Sequence, residues 1–121
     1  KNLHLRVAVD YSSRDAILRA AQSLPSDSTF SRQEFAKQLA FHNHMSEPSA
    51  DVDILIRTGG EKRLSDFMLW ECAYAELFFS PVMWPDFSGE HLKDILQEFN
   101  ARERRFGRIS SQVSRQKMTV S

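Results

Sequence analysis

The sequence predicts an α/β fold with a parallel sheet flanked by helices, and three observations predict it. After Asp53, residues 54–56 (Ile54, Leu55, Ile56) form an apolar run too continuous for a half-exposed alternating strand, so they read as a buried parallel strand. Gly59 and Gly60 follow almost at once, where a strand must turn sharply. Segments with helical apolar spacing lie before and after this junction, and such alternation implies a layered α/β structure.

The elements follow in chain order. Residues 3–9 alternate Leu3, Leu5, Val7 and Val9 with His4, Arg6 and Ala8, which predicts a strand with one buried face. Asp10, Tyr11, Ser12 and Ser13 make a turn, and either serine can cap a helix over residues 14–24, whose apolar positions are Ala16, Ile17, Ala20, Ala21 and Leu24. Pro25 ends it. Ser31, with Glu34 three residues on, reads as a capping box opening a helix to about His42, with Phe35, Ala36 and Leu39 inward. Residues 45–50 form a loop around Pro48. Residues 65–75 are apolar on most of a helical surface (Phe67, Met68, Leu69, Trp70, Cys72, Ala73), which predicts a central or interface helix. Residues 77–79 are a short strand. Pro81 and Pro85 bracket an irregular stretch in which Asp86 or Ser88 can cap a last helix over residues 90–105, with Leu92, Ile95, Leu96 and Phe99 on one face. Residues 109–121 are polar and aperiodic and read as a flexible tail. Three strands leave open sheet edges, so further polypeptide is expected to complete the sheet.

Composition narrows the function. The 121 residues carry 16 Lys plus Arg and 16 Asp plus Glu, and zero formal charge argues against a nucleic-acid binder. The single cysteine, Cys72, excludes an internal disulfide and sits in an apolar run, as a core thiol does. His42 and His44 lack a third ligand and read as loop residues. The sequence contains neither a membrane-spanning run nor a signal-peptide pattern, so a soluble, cytoplasmic protein is expected.

Residues 53–63 (DILIRTGGEKR) carry the chemistry. Arg57, Lys62 and Arg63 crowd positive charge at the C-terminal edge of the predicted sheet, where open α/β folds bind ligands. Arginine forks match phosphate oxygens, and Gly59 and Gly60 let backbone approach a ligand, so a phosphate or diphosphate site is one reading. A strand–turn–helix junction with surface arginines is the other. Ser65 falls at the start of the next predicted helix, whose N–H groups would add donors. Glu76 is a carboxylate among Tyr74, Leu77 and Phe78, unusual unless paired with an arginine such as Arg102 or Arg105 or bound to metal.

The order of RTGGE (57–61), the segment around Ser65 to Phe67, AYAEL (73–77), WPDF (84–87) and RERRFG (102–107) closely resembles the C-terminal half of the cis-prenyltransferases, the undecaprenyl diphosphate synthase family. Residues 3–17 resemble that family's strand, tyrosine and arginine segment. The resemblance implies residues 1–108 as the C-terminal half of such a domain, with an incomplete sheet. It implies transfer of isopentenyl diphosphate onto an allylic prenyl diphosphate, with Mg2+ as cofactor. Arg57, Arg63 and Ser65 would hold the diphosphate of isopentenyl diphosphate, with Gly59 and Gly60 shaping the loop. Glu76 would bind Mg2+, and Arg105 with Gly107 would reach across a dimer interface. Arg105 to Gly107 also suit a basic helix end, with Gly107 at the C′ position. A homodimer or heterodimer is expected, and the lipid product would bring the protein near a membrane. The family's aspartate and Asn-Gly-Arg segment have no counterpart in residues 1–121. A non-catalytic or truncated subunit serving an active partner is the alternative. The chain departs from the family pattern at Asp10 (an asparagine there), at Ser12 and Ser13 (two glycines), at Lys62 and at Arg108.

Overall fold

The computed structural model describes residues 3–26 and 31–102. Two helices come first, α1 (Ser13–Gln22) and α2 (Arg32–His42). Strands β1 (Ile54–Arg57) and β2 (Glu76–Phe79) follow, then a 3-10 turn (Trp84–Asp86) and α3 (Gly89–Ala101). The strands pair in parallel, with Ile54 opposite Glu76 and Arg57 opposite Phe79. This order of helices beside a parallel pair is the α/β architecture that the sequence predicts.

Both early helices begin at the expected caps. Ser12 and Ser31 are extended, and their hydroxyls accept from the N–H groups of Asp15 (3.1 Å) and Glu34 (3.0 Å). The helices pack through Ala16, Ala20 and Leu39, with Ile17 and Phe35 against them. Alanines at the contact let two helices approach closely. α3 opens at Ser88, whose N–H donates to His91 Nδ1 at 3.0 Å.

Four expectations are corrected. Residues 3–9 join no ladder: Leu3, Leu5, Val7 and Val9 are 77–92% exposed, and among the described residues the sheet has two strands. Arg6 instead ties this segment to the 45–49 loop through Ser49 Oγ (2.8 Å) and the Met45 sulfur. The apolar alternation was real, but a strand exists only with a partner edge. The parallel strand ends on Arg57, and only Leu55 in it is fully buried.

The segment over residues 65–75 is a chain of turns, not a helix. Ser65, Asp66 and Met68 have φ of 50°, 61° and 46°, in the left-handed region. Its polar groups are bound to the start of α1. Ser13 N–H donates to Asp66 O (3.0 Å), Leu69 N–H donates to Ser13 Oγ (2.9 Å), and the Asp66 carboxylate accepts from Ser12 Oγ (2.6 Å) and Arg14 N–H (2.8 Å). Backbone groups already committed in this way cannot also build a helical ladder. Parallel strands need a long crossover, commonly a helix, and here residues 58–75 provide it as linked turns. Finally, α3 stops at Ala101, short of the expected residue 105, with Arg102 as an extended C-cap (ψ 137°), and Gly107 lies outside the described residues.

Candidate functional site: an arginine cluster beside an apolar cavity

Arg57 is the last residue of β1, which aims it at the turns that follow. Its Nη1 donates to Ser65 Oγ at 2.6 Å and to the Arg63 carbonyl at 2.9 Å. Both bonds use one nitrogen, so Nη2 and Nε keep their donors. Ser65 reaches this position because its backbone is left-handed, not because it starts a helix. Arg63 joins the cluster through its carbonyl, while its guanidinium pairs with Glu61 at 2.8 Å on the exposed surface.

Gly59 and Gly60 have φ of 88° and 79°, which only glycine adopts without strain. Their N–H groups donate to Val82 O and Ser80 O, both at 2.9 Å, and Ser80 N–H donates to Arg57 O at 2.8 Å. The glycines therefore fasten the Arg57 loop to the chain beyond β2, and their donors are spent there. A cavity of about 400 Å3 adjoins the cluster. Ile54, Ile56, Leu64, Phe67, Met68 and Cys72 make most of its wall, and Arg57 and Thr58 are its polar members. An apolar hollow with a cationic fork suits an amphiphile with an anionic head.

Tyr11 packs edge-on against Phe67, with ring centroids 5.6 Å apart. Burial raises its phenol pKa; the hydrogen bond to Ser13 opposes this and the charge of Glu71 adds to it. Cys72 is buried as expected, and desolvation followed by the Glu71 charge pushes its thiol up. The family departures acquire local reasons. Asp10 sits at φ 52°, a conformation that aspartate and asparagine both tolerate. Ser12 is extended and Ser13 helical, so neither needs glycine's freedom, and both hydroxyls are bonded.

Glu76 opens β2 and pairs in register with Ile54, three residues before Arg57. That places it about 10 Å of strand away from the arginine cluster, which it does not join. Its Oε2 accepts from Arg102 Nη1 at 2.8 Å. Arg102 Nη2 also reaches Glu98, and the guanidinium lies 4.1 Å from the Phe78 ring centroid. The hydrogen bonds that Arg102 donates to Glu76 and Glu98 raise its pKa further. Among the described residues no group of three or more His, Cys, Asp or Glu side chains could hold a metal ion. A half-buried carboxylate is a suitable hard oxygen donor, so Glu76 fits one ligand of a Mg2+ site but does not make a site. Arg105 and Gly107 lie outside the described residues.

Arg102 is the partner of Glu76 that one of the two sequence readings named, whereas Asp66 and Glu71 were not singled out by their sequence pattern as site neighbours. Glu71 is 4% exposed, and its Oε2 has no hydrogen-bond partner among the described residues. Its signal was present: a carboxylate inside the apolar run Leu69, Trp70, Glu71, Cys72.

Comparison with known proteins decides the family. The family model described as "Putative undecaprenyl diphosphate synthase" matches residues 1–107. The chain belongs to this family. It is 50% identical over 109 residues to isoprenyl transferase 1 of Bradyrhizobium diazoefficiens, covering 90% of this chain and 43% of that protein. It is 47% identical over 109 residues to the isoprenyl transferase of Aquifex pyrophilus, covering 90% and 46%. Among solved structures it resembles a probable undecaprenyl diphosphate synthase from Campylobacter jejuni (TM-score 0.67, 36% identity, 83% of this chain and 45% of that one). It also resembles lavandulyl diphosphate synthase from Lavandula x intermedia, solved in complex with dimethylallyl diphosphate (TM-score 0.70, 33% identity, 82% and 44%). The chain spans less than half the length of each of these relatives. No helix among the described residues is long and apolar enough to cross a membrane.

Proposed function

We propose that this chain carries the isopentenyl diphosphate subsite of a cis-prenyl transferase, with residues 1–108 forming the C-terminal half of the catalytic domain. The observation that carries this reading is the Arg57 fork, fixed by Ser65 and the Arg63 carbonyl beside an apolar cavity. In the reaction the alkene of isopentenyl diphosphate attacks C1 of an allylic prenyl diphosphate. The allylic C–O bond breaks, inorganic diphosphate leaves with the bonding pair, and a proton is lost from C2 of the incoming unit. Arg57, with Arg63 turned from Glu61, holds the isopentenyl diphosphate head, and Ser65 adds a hydroxyl. Gly59 and Gly60 keep the arginine at one place, so binding geometry is fixed before the reaction. The apolar wall lines the side of the site on which the alkene would lie.

Mg2+ would neutralise the departing diphosphate, and Glu76 would supply one of its ligands. Arg105 and Gly107 are proposed to reach toward a partner's substrate in a homodimer or heterodimer. A cytoplasmic location close to a membrane suits the lipid product. A second reading is favoured by one observation. The Glu76 carboxylate is already paired with Arg102, which suits a structural role for it in a subunit that serves an active partner.

The test is incorporation of labelled isopentenyl diphosphate into a longer prenyl diphosphate from an allylic primer. Product that falls at least 100-fold with Arg57→Ala supports the first reading, since lost transition-state contacts of this type cost about 10²–10³ in rate. Product that forms with a second, catalytic polypeptide and is unchanged by Arg57→Ala supports the alternative.

A further inference from the structure

The first turn of α1 is closed by a residue far along the chain. Ser12 Oγ accepts from Asp15 N–H at 3.1 Å, as an N-cap does. Asp66 partners the two N–H groups before it. Its carboxylate accepts from Arg14 N–H (2.8 Å), and its carbonyl accepts from Ser13 N–H (3.0 Å). The other carboxylate oxygen accepts from Ser12 Oγ at 2.6 Å. Leu69 N–H then donates to Ser13 Oγ (2.9 Å), so the crossover is tied to α1 a second time just downstream. A carboxylate in this place also meets the positive end of the helix dipole.

Ser65 precedes Asp66, and both are left-handed, with φ of 50° and 61°. Aspartate tolerates that region better than serine does. Consecutive residues persist there only where surrounding contacts over-determine them, and the contacts of Asp66 with α1 do so here. On the near side of the turn, Ser65 Oγ accepts from Arg57 Nη1 at 2.6 Å. Resting on the reading of Arg57 as the diphosphate arginine, we propose that Asp66 is a positioning residue for that site. By gripping the start of α1 it sets the Ser65 turn, and Ser65 aims the Arg57 fork. Asp66 acts through Ser65 and not on the substrate itself.

The experiment titrates isopentenyl diphosphate into the chain by calorimetry, with Tm measured for every form. The variants are Arg57→Ala, Ser65→Ala, Asp66→Ala, Asp66→Gly, Asp66→Asn and the double variant Ser65→Ala with Asp66→Gly. Glycine leaves the left-handed backbone open, so Asp66→Gly isolates the carboxylate and carries the test if Asp66→Ala does not fold. Asparagine removes the same charge but keeps an oxygen for Arg14 N–H, and the Ser12 hydroxyl can turn to accept from its amide. Asp66→Ala and Asp66→Gly are expected to weaken binding about tenfold, as Ser65→Ala does. Asp66→Asn stays within about twofold of the parent, since the charge alone is screened. The double variant binds no more weakly than Ser65→Ala, while Asp66→Gly lowers Tm in both backgrounds. A residue with only a structural role would lower Tm without a binding loss that depends on Ser65.

Parent-like binding in Asp66→Ala and Asp66→Gly, while Arg57→Ala and Ser65→Ala weaken it, overturns the positioning role alone. Equal losses in Asp66→Asn and Asp66→Gly assign the effect to charge and overturn it. A further loss in the double variant, or none in Ser65→Ala, shows that Asp66 does not act through Ser65 and overturns it too. Parent-like binding in Arg57→Ala, or no binding by the parent chain, overturns the diphosphate reading and the positioning role with it.

Discussion

At the scale of single residues, the site depends on side chains whose positions are set by neighbours rather than by their own elements. Arg57 is held by a hydroxyl and a carbonyl, both from the crossover that follows it. Ser65→Ala removes one of these bonds and leaves the charge, so weakened isopentenyl diphosphate binding by about tenfold is expected in calorimetry, with little loss of Tm. Cys72 and Tyr11 give a pH prediction. Both pKa values are raised by burial, so the folded state binds these protons more tightly than the unfolded state. Their contribution to stability is complete below the ordinary values of 9.0 and 10.0 and is lost as pH rises through them toward the folded values. The urea midpoint should therefore fall on the alkaline side, and Cys72→Ala should flatten the earlier part of that fall. An unchanged slope in that variant would assign the alkaline loss elsewhere.

At the scale of elements, legibility followed how local the determinants are. α1, α2 and α3 announce themselves through a serine cap and a 3.6-residue apolar period, and the structure keeps all three within a few residues of the expected bounds. Strands β1 and β2 were equally readable from Ile54, Leu55, Ile56, Leu77 and Phe78. The crossover was not. Phe67, Met68, Leu69 and Trp70 carry a helical period, yet Asp66 and Ser13 bind the two segments together over more than fifty residues of chain, a contact that no local pattern encodes. Of the site, Arg57 and Ser65 were legible as partners only through resemblance, whereas the Arg102–Glu76 pair was one of two readings open from the residues. The crossover contact carries its own prediction. Asp66→Ala removes two hydrogen bonds at the start of α1 and should destabilise the chain by about 1–2 kcal/mol in urea unfolding. A null effect would mean that the α1 contact does not hold the crossover. Gly59→Ala should cost about 1–2 kcal/mol from its left-handed φ, since the added Cβ meets only the Met83 sulfur at an ordinary 3.9 Å.

At the scale of the whole molecule, the described residues make two small centres: an α1–α2 pair with an alanine-rich core, and a two-stranded parallel sheet with α3 following. A two-stranded sheet is marginal by itself, and Leu3, Leu5, Val7 and Val9 offer apolar side chains to water. Family relatives are more than twice as long as the matched region. The register puts Arg57 and Glu76 at different ends of the sheet, so the two proposed roles fall at different ends of it. Calorimetric titration of isopentenyl diphosphate into the chain and its Arg57→Lys and Arg57→Ala variants decides whether the Arg57 cluster holds a diphosphate. The account predicts saturable binding that weakens with loss of the fork in Arg57→Lys and falls further in Arg57→Ala, by about 2–3 kcal/mol for a charge-assisted contact. Binding unchanged in Arg57→Ala would contradict it, because the cluster would then be a surface junction and not the diphosphate site.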